Sequence, residues 1–176
     1  MKRRSLLTGL GAAVAAGLGG GLATDWNERG QRASVFIAKA SDYEANLEAR
    51  IEAGLRELGF DHRFAKGKSV LLKPNLVEPS RATPEVNTHP HVVRAVAGVF
   101  RRLGARHVFV AEGPGHCRDS LVVLEQSGLG ETLDECGLEF VDLNHDEIDF
   151  VPNRLKLSGL PRLALPRALR DRKSVV

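Results

Sequence analysis

The sequence predicts an α/β fold: a mostly parallel sheet with flanking helices in βαβαβαβ order, truncated at the C-terminus. Three observations predict it. Short β-branched apolar runs alternate with stretches of helical period, glycines close the helical stretches, and polar residues gather where the strands end. Apolar strands separated by helices argue for parallel units joined by right-handed crossovers rather than for a sandwich.

The first expected strand is Ser34-Val35-Phe36-Ile37-Ala38. Ser41 would then cap a helix, with Glu44 three residues on completing a capping box. Tyr43, Leu47, Ile51, Leu55 and Leu58 follow at spacings of four and three, and Gly59 ends the run. Ser69-Val70-Leu71-Leu72-Lys73 reads as the second strand. Its helix starts near Thr88 to Pro90, carries Val92, Val93, Val96, Val99, Phe100 and Leu103, and stops at Gly104. His107 to Ala111 is the third strand. Asp119 caps a helix bearing Leu121, Val122 and Leu124, which Ser127-Gly128 interrupts before a last turn reaches Gly137. Leu138 to Asp142 is the fourth strand. From Val151 to Arg167 apolar and basic residues alternate between prolines, the pattern of an edge strand or a hairpin.

The N-terminus reads as an address. Arg3 and Arg4 precede an uncharged stretch from Leu6 to Ala23, and Gly21-Leu22-Ala23 places small residues where a signal peptidase cuts. The arginine pair followed by Ser-Leu-Leu resembles a twin-arginine export signal, which predicts an exported, periplasmic protein. A retained anchor is the alternative, weakened by the many glycines. The expected organisation is therefore a signal over residues 1–23, a linker over 24–33, a domain over 34–169 and a tail or aberrant end over 170–176.

Charge follows the same division. The chain has 176 residues and a formal charge of +3, and Lys2, Arg3 and Arg4 alone supply that excess. Residues 25–153 hold 15 basic and 21 acidic side chains, whereas 154–176 hold seven and one. Bulk charge gives no support to a nucleic-acid partner, and contact with a membrane is expected only through the signal or an uncleaved anchor. Two cysteines, Cys117 and Cys136, either pair or remain separate thiols. No Cys-x-x-Cys occurs, so the chain has no iron–sulfur motif of its own.

Parallel strands place their C-terminal ends on one rim, where open α/β sheets bind ligands. Lys73-Pro74-Asn75 closes one strand and leads into a long connection from Leu76 to Asn87. Lys73 suits an anion and Asn75 a hydrogen bond, against the plainer reading of a solvated turn. In Glu112-Gly113-Pro114-Gly115-His116, Gly113 and Gly115 let backbone amides approach a negative group, although the spacing is neither a dinucleotide fingerprint nor a P-loop. In Asp142-Leu143-Asn144-His145-Asp146-Glu147, strand alternation points Asp142 and Asn144 one way, and His145 and Glu147 the other. Glu112, Asp142 and Asn144 together offer the hard oxygens that a divalent metal such as Mg²⁺ or Ca²⁺ prefers. The alternative is a solvated acidic turn. His89 and His91 flank Pro90, with only His89 expected at the rim. No nucleophile elbow is present, so a hydrolase has no foothold.

Lys73-Pro74-Asn75-Leu76-Val77, Thr88-His89-Pro90 with Val92-Val93-Arg94-Ala95-Val96, Glu112 to His116 and Asp142-Leu143-Asn144 occur in an order that resembles the domain of unknown function 362 family, over residues 34–167. Some members of that family carry twin-arginine signals, and some are fused to ferredoxin-type modules, so the resemblance implies a redox association and a redox partner. Members are usually longer, which makes this sequence similar to an N-terminal portion. Arg170 to Val176 departs from the family pattern, and the family carries no settled reaction. The functional expectation is an exported domain that binds a small anionic or metal-complexed ligand at the rim. A non-catalytic accessory domain, making contacts through loop 76–87 and the basic tail, is the alternative.

Overall fold

The computed structural model describes residues 34–79, 84–115, 118–154, 158–170 and 174–175. The chain divides into two units, 1–35 and 36–176, and the second carries the fold. The expected signal and linker lie outside the described residues, as do His116 and Cys117. Pairing of Cys117 with the half-buried Cys136 therefore stays an expectation.

The elements are α1 (Leu47–Glu57), α2 (His62–Ala65), β1 (Ser69–Leu72), a 3₁₀ turn (Pro84–Val86), α3 (Pro90–Arg102), β2 (His107–Glu112), α4 (Ser120–Gln126), α5 (Leu129–Cys136), β3 (Phe140–Asp142), β4 (Ile148–Pro152), β5 (Arg162–Pro166), α6 (Arg167–Arg170) and β6 (Ser174–Val175). Strands β3, β2, β1 and β6 form one sheet in that order, and every neighbouring pair is parallel. The expected α/β class with a parallel sheet is what the chain adopts. Strands β4 and β5 form a separate antiparallel hairpin, with Phe150 opposite Ala164.

Alternation along the strands divides the core between the two sheet faces. Val70, Leu72, Val108 and Val110 pack with Val93, Ala97 and Phe100 of α3, Val123 of α4, and Leu129 and Leu133 of α5. Leu71, Phe109 and Ala111 pack on the other face with Leu143 and with Ala168 of α6. All four residues of β1 are buried, which is why its sequence is a continuous apolar run and not an alternation. Burying side chains such as Leu71 and Phe109, both 0% exposed, stabilises the fold by about 1.5–3 kcal/mol each.

Helix α3 forms where its caps and its period agree. The His89 side chain caps it, Pro90 occupies the first turn, and Arg101 and Arg102 complement its C-terminal dipole. Gly104, at φ 85°, then turns the chain towards β2. Arg102 reaches Glu48 and Glu52 of α1, tying the two helices across the surface. Gly98 allows that approach, because a Cβ there would stand 2.6 Å from the Glu48 carboxylate.

Four sequence expectations are corrected. Residues 34–38 form no strand, and Val35 and Ile37 are 75% and 88% exposed. The outer edge of β1 belongs instead to β6, with Val70 opposite Ser174 and Leu71 opposite Val175. Within residues 170–176, expected as a tail or aberrant end, Ser174–Val175 lies in the sheet. The capping box at Ser41 does not form: Asp42 accepts the Ala45 amide in a tight turn, and Asn46 caps α1 through the Ala49 amide. The strand expected from Leu138 begins only at Phe140, since the chain is still leaving α5 through the left-handed Gly137.

Candidate functional site

The C-terminal ends of β1, β2 and β3 lie side by side, as a parallel sheet requires, and bring Lys73, Glu112 and Asp142 to one rim. Glu112 and Asp142 are register partners, so their carboxylates leave adjacent strands at the same level. Glu112 is only 6% exposed. Its Oε2 meets the Lys73 ammonium at 2.5 Å, and its Oε1 accepts the Gly113 amide at 2.9 Å. A buried carboxylate needs such partners, because an isolated charge in the interior costs several kcal/mol.

Asp142 is held differently. Its Oδ1 accepts the Asn144 amide at 2.9 Å, and its Oδ2 lies 2.7 Å from His145 Nδ1. Burial pushes its carboxyl up, but Ser120, the His145 ring and the Asn144 amide outweigh burial and hold it below its ordinary value. His145 thus does not point away from Asp142, as strand alternation predicts. The chain turns after Asp142, and a turn brings residues three apart together. Ser120, at the start of α4 and 3% exposed, finds no hydrogen-bond partner of normal geometry for its hydroxyl among the described residues, although it stands near enough to Asp142 to favour the charged carboxylate.

The glycine segment is a fitted part. A Cβ on Gly113 would stand 2.4 Å from Asn144 Oδ1, so only glycine allows Asn144 to approach. Asn144 then donates from Nδ2 to the Pro114 carbonyl at 2.9 Å. A Cβ on Gly115 would meet nothing nearer than the Val77 carbonyl at 3.7 Å, so space does not demand glycine there. Asn75 faces the long connection: its amide donates to Thr88 Oγ1 and its Nδ2 to the Val86 carbonyl, each at 2.8 Å.

Four groups to which the sequence assigns no role at the rim complete the frame. Asn87, 8% exposed, accepts the Val77 amide and donates to the Glu78 carbonyl, each at 2.8 Å. Arg118 clasps Glu78, which ties the segment after β2 to the segment after β1. Ser120 supplies the buried hydroxyl beside Asp142, and Thr88 Oγ1 accepts the Asn75 amide. A buried Asn in a long polar connection leaves no periodic signature, so only its place in a loop is legible beforehand.

An apolar groove of about 160 Å³ opens beside the rim, lined by Leu72, Lys73, Pro74, Thr88, Val92, Val93 and Val96. Lys73 is thus poised between Glu112 and an apolar wall. Of the oxygen ligands predicted for a divalent metal, Glu112 and Asp142 are brought together, whereas the Asn144 side chain is turned to Pro114. Among the described residues no group of three or more His, Cys, Asp and Glu side chains is placed to hold a metal ion. His89 and His91 both lie at the start of α3, with His91 Nδ1 3.1 Å from Glu44.

Comparison with known proteins fits this arrangement. The family model described as Domain of unknown function (DUF362) matches residues 70–176, from β1 through β6. A curated relative, the thylakoid-associated protein sll1697 of Synechocystis sp., is 39% identical over 83 residues, covering 46% of this chain and 26% of the relative. The chain thus spans about a quarter of the length of the curated relative it matches. No solved structure matches. The chain belongs to the domain of unknown function 362 family.

Proposed function

We propose that this member of the family binds a small anionic ligand, or its complex with a divalent cation, at the rim formed by Lys73, Glu112 and Asp142. The observation that carries the reading is the juxtaposition of two carboxylates on adjacent strand ends with a single ammonium, beside the buried Ser120 hydroxyl that favours the charged Asp142. Two anionic side chains against one cation leave negative charge in excess, which a hard divalent ion offsets. Such an ion would be held by Glu112 and Asp142, with oxygen ligands of its cargo completing its shell. Lys73 would meet the anionic end of that cargo, with the exposed Gly115 leaving the adjacent backbone open to it, whereas the Gly113 amide is taken by Glu112.

Titration calorimetry with Mg²⁺, Mn²⁺ and inorganic phosphate, separately and together, tests this reading. Saturable heat that disappears in Glu112→Gln and Asp142→Asn supports it. Absence of heat from all three, or heat unchanged in both variants, overturns it.

One observation favours a second reading, an accessory domain without a ligand. Asn75, Gly113, Asn144, Glu78 and Arg118 all bind one another's segments, so much of the rim's polarity is spent on fixing loops. On that reading, changes at Lys73 alter stability alone.

We further propose export to the periplasm through the twin-arginine route, on the strength of residues 1–23. Replacing Arg3 and Arg4 by lysine in a fusion of residues 1–30 to a reporter tests it, and unchanged transport rejects the route. Among the described residues no helix is long and apolar enough to cross a membrane. A redox partner holding an iron–sulfur cluster would supply the cluster's cysteine motif, since this sequence holds no Cys-x-x-Cys.

A further inference from the structure

The segment before α1 is fastened to the first turn of α3 by two histidines. The Tyr43 ring stacks on the His89 ring with centroids 3.8 Å apart and planes 4° from parallel. His91 Nδ1 lies 3.2 Å from the Tyr43 carbonyl and 3.1 Å from Glu44 Oε1. The two imidazoles meet edge to face, with centroids 4.9 Å apart. Residues 39–46 carry no helix or strand, so these contacts and the hydrogen bond from Arg50 to the Lys39 carbonyl at 2.6 Å hold the strap down.

His89 also caps the helix in an unusual way. Its Nδ1 accepts the backbone N–H of His91 at 3.2 Å, the role that Ser, Thr, Asp or Asn fills at most helix starts. An accepting Nδ1 needs its lone pair, which fixes the neutral ring in the tautomer protonated at Nε2. A proton on Nδ1 removes the acceptor, places a cation at the positive end of the helix dipole and crowds a second imidazole.

The surrounding charges are mixed. His91 and Arg94 on α3, Glu44 in the strap and Glu48 on α1 line the groove on one side. Glu131 on α5 faces both histidines across a second groove. Burial and His91 press the His89 ring towards its neutral form against the smaller pull of Glu44.

We propose that His89 is a pH-operated latch: neutral, it caps α3 and holds Tyr43 and the strap 39–46 in place, and protonated, it releases them. The position ties the latch to the rim, since Thr88 and Asn87, the two residues before it, clamp the connection that follows β1. Release of the α3 start thus loosens the clamp on Asn75 and Val77. The latch is independent of what the rim binds.

Tyr43 is the single tyrosine of the chain, so its ring resonances report the stack directly. Over pH 8 to 4.5 the full chain should show the Tyr43 ring signals moving to unstacked positions, with an inflection below the ordinary histidine value of 6.5. The same inflection should persist in His91→Gln. Exchange of the His91, Val92 and Val93 amides, corrected for intrinsic rate, should accelerate about fivefold across the same range, the equivalent of one lost N-cap. In His89→Asn, which caps without titrating, that acceleration should vanish. Flat Tyr43 signals overturn the latch. So does an inflection that disappears in His91→Gln, or an exchange profile in His89→Asn that keeps its pH dependence.

Discussion

Lys73 and Glu112 form the pair in which one side chain decides most at the rim. The carboxylate is buried and the ammonium half-exposed, so removing the cation leaves the costlier partner stranded. Lys73→Met should therefore lower the free energy of unfolding by about 1.5–3 kcal/mol in urea denaturation, whereas exposed lysines change little. Gly113 poses a steric test. Gly113→Ala drives a methyl into Asn144 Oδ1, 2.4 Å away, and should cost about 1–3 kcal/mol. Asn144→Ala removes the obstacle, so the double variant should recover part of that loss, a coupling that additive effects would contradict. Asp142 sets a pH test. Its folded carboxyl lies below the usual 3.8, so its contribution is present above that value and is lost as pH falls through the folded one. Acid titration of stability should be shallower in Asp142→Asn, with the difference confined to pH below about 4.

At the scale of elements, the sequence was legible wherever two local signals agreed. The α3 boundaries rest on a valine period, Pro90 and Gly104, and the helix runs from Pro90 to Arg102. Asp119 was readable as a cap, and it accepts the Leu121 and Val122 amides at 2.9 and 3.1 Å. Asp119→Ala should destabilise α4 by about 1 kcal/mol, read as a drop in melting temperature without a change in far-ultraviolet signal at 20 °C. The strand at 34–38 failed because composition shows that a segment suits a sheet, not that an edge is free. The box at Ser41 failed for a local reason: Asp42 closes a turn one residue later and takes the amide Ala45 would give to a helix. At the rim, register explains what was readable. Strand ends named Lys73, Glu112 and Asp142, but nothing in a linear pattern says that Asn144 packs on Gly113 or that Arg118 reaches Glu78 across 40 positions.

For the whole molecule, the order β3-β2-β1-β6 puts the most buried strand beside the shortest one. Leu71 is 0% exposed and belongs to the face covered by Phe109, Leu143 and Ala168. Among the described residues, only the two of β6 pair with the backbone of β1 on that side. An unpaired edge of an apolar parallel strand is a template for another chain, and the native devices against it are charge, proline or cover. Ser69-Val70-Leu71-Leu72 contains neither charge nor proline, so cover is the device in use. Ending translation after Leu169 should leave α1 to α5 in place yet produce higher-order species in light scattering at concentrations where the full chain is monodisperse. Replacing Leu71 by lysine in that shortened chain would not repair it, since the side chain enters the core. Equal dispersity of the shortened and full chains would show that β6 contributes no cover to the edge of β1.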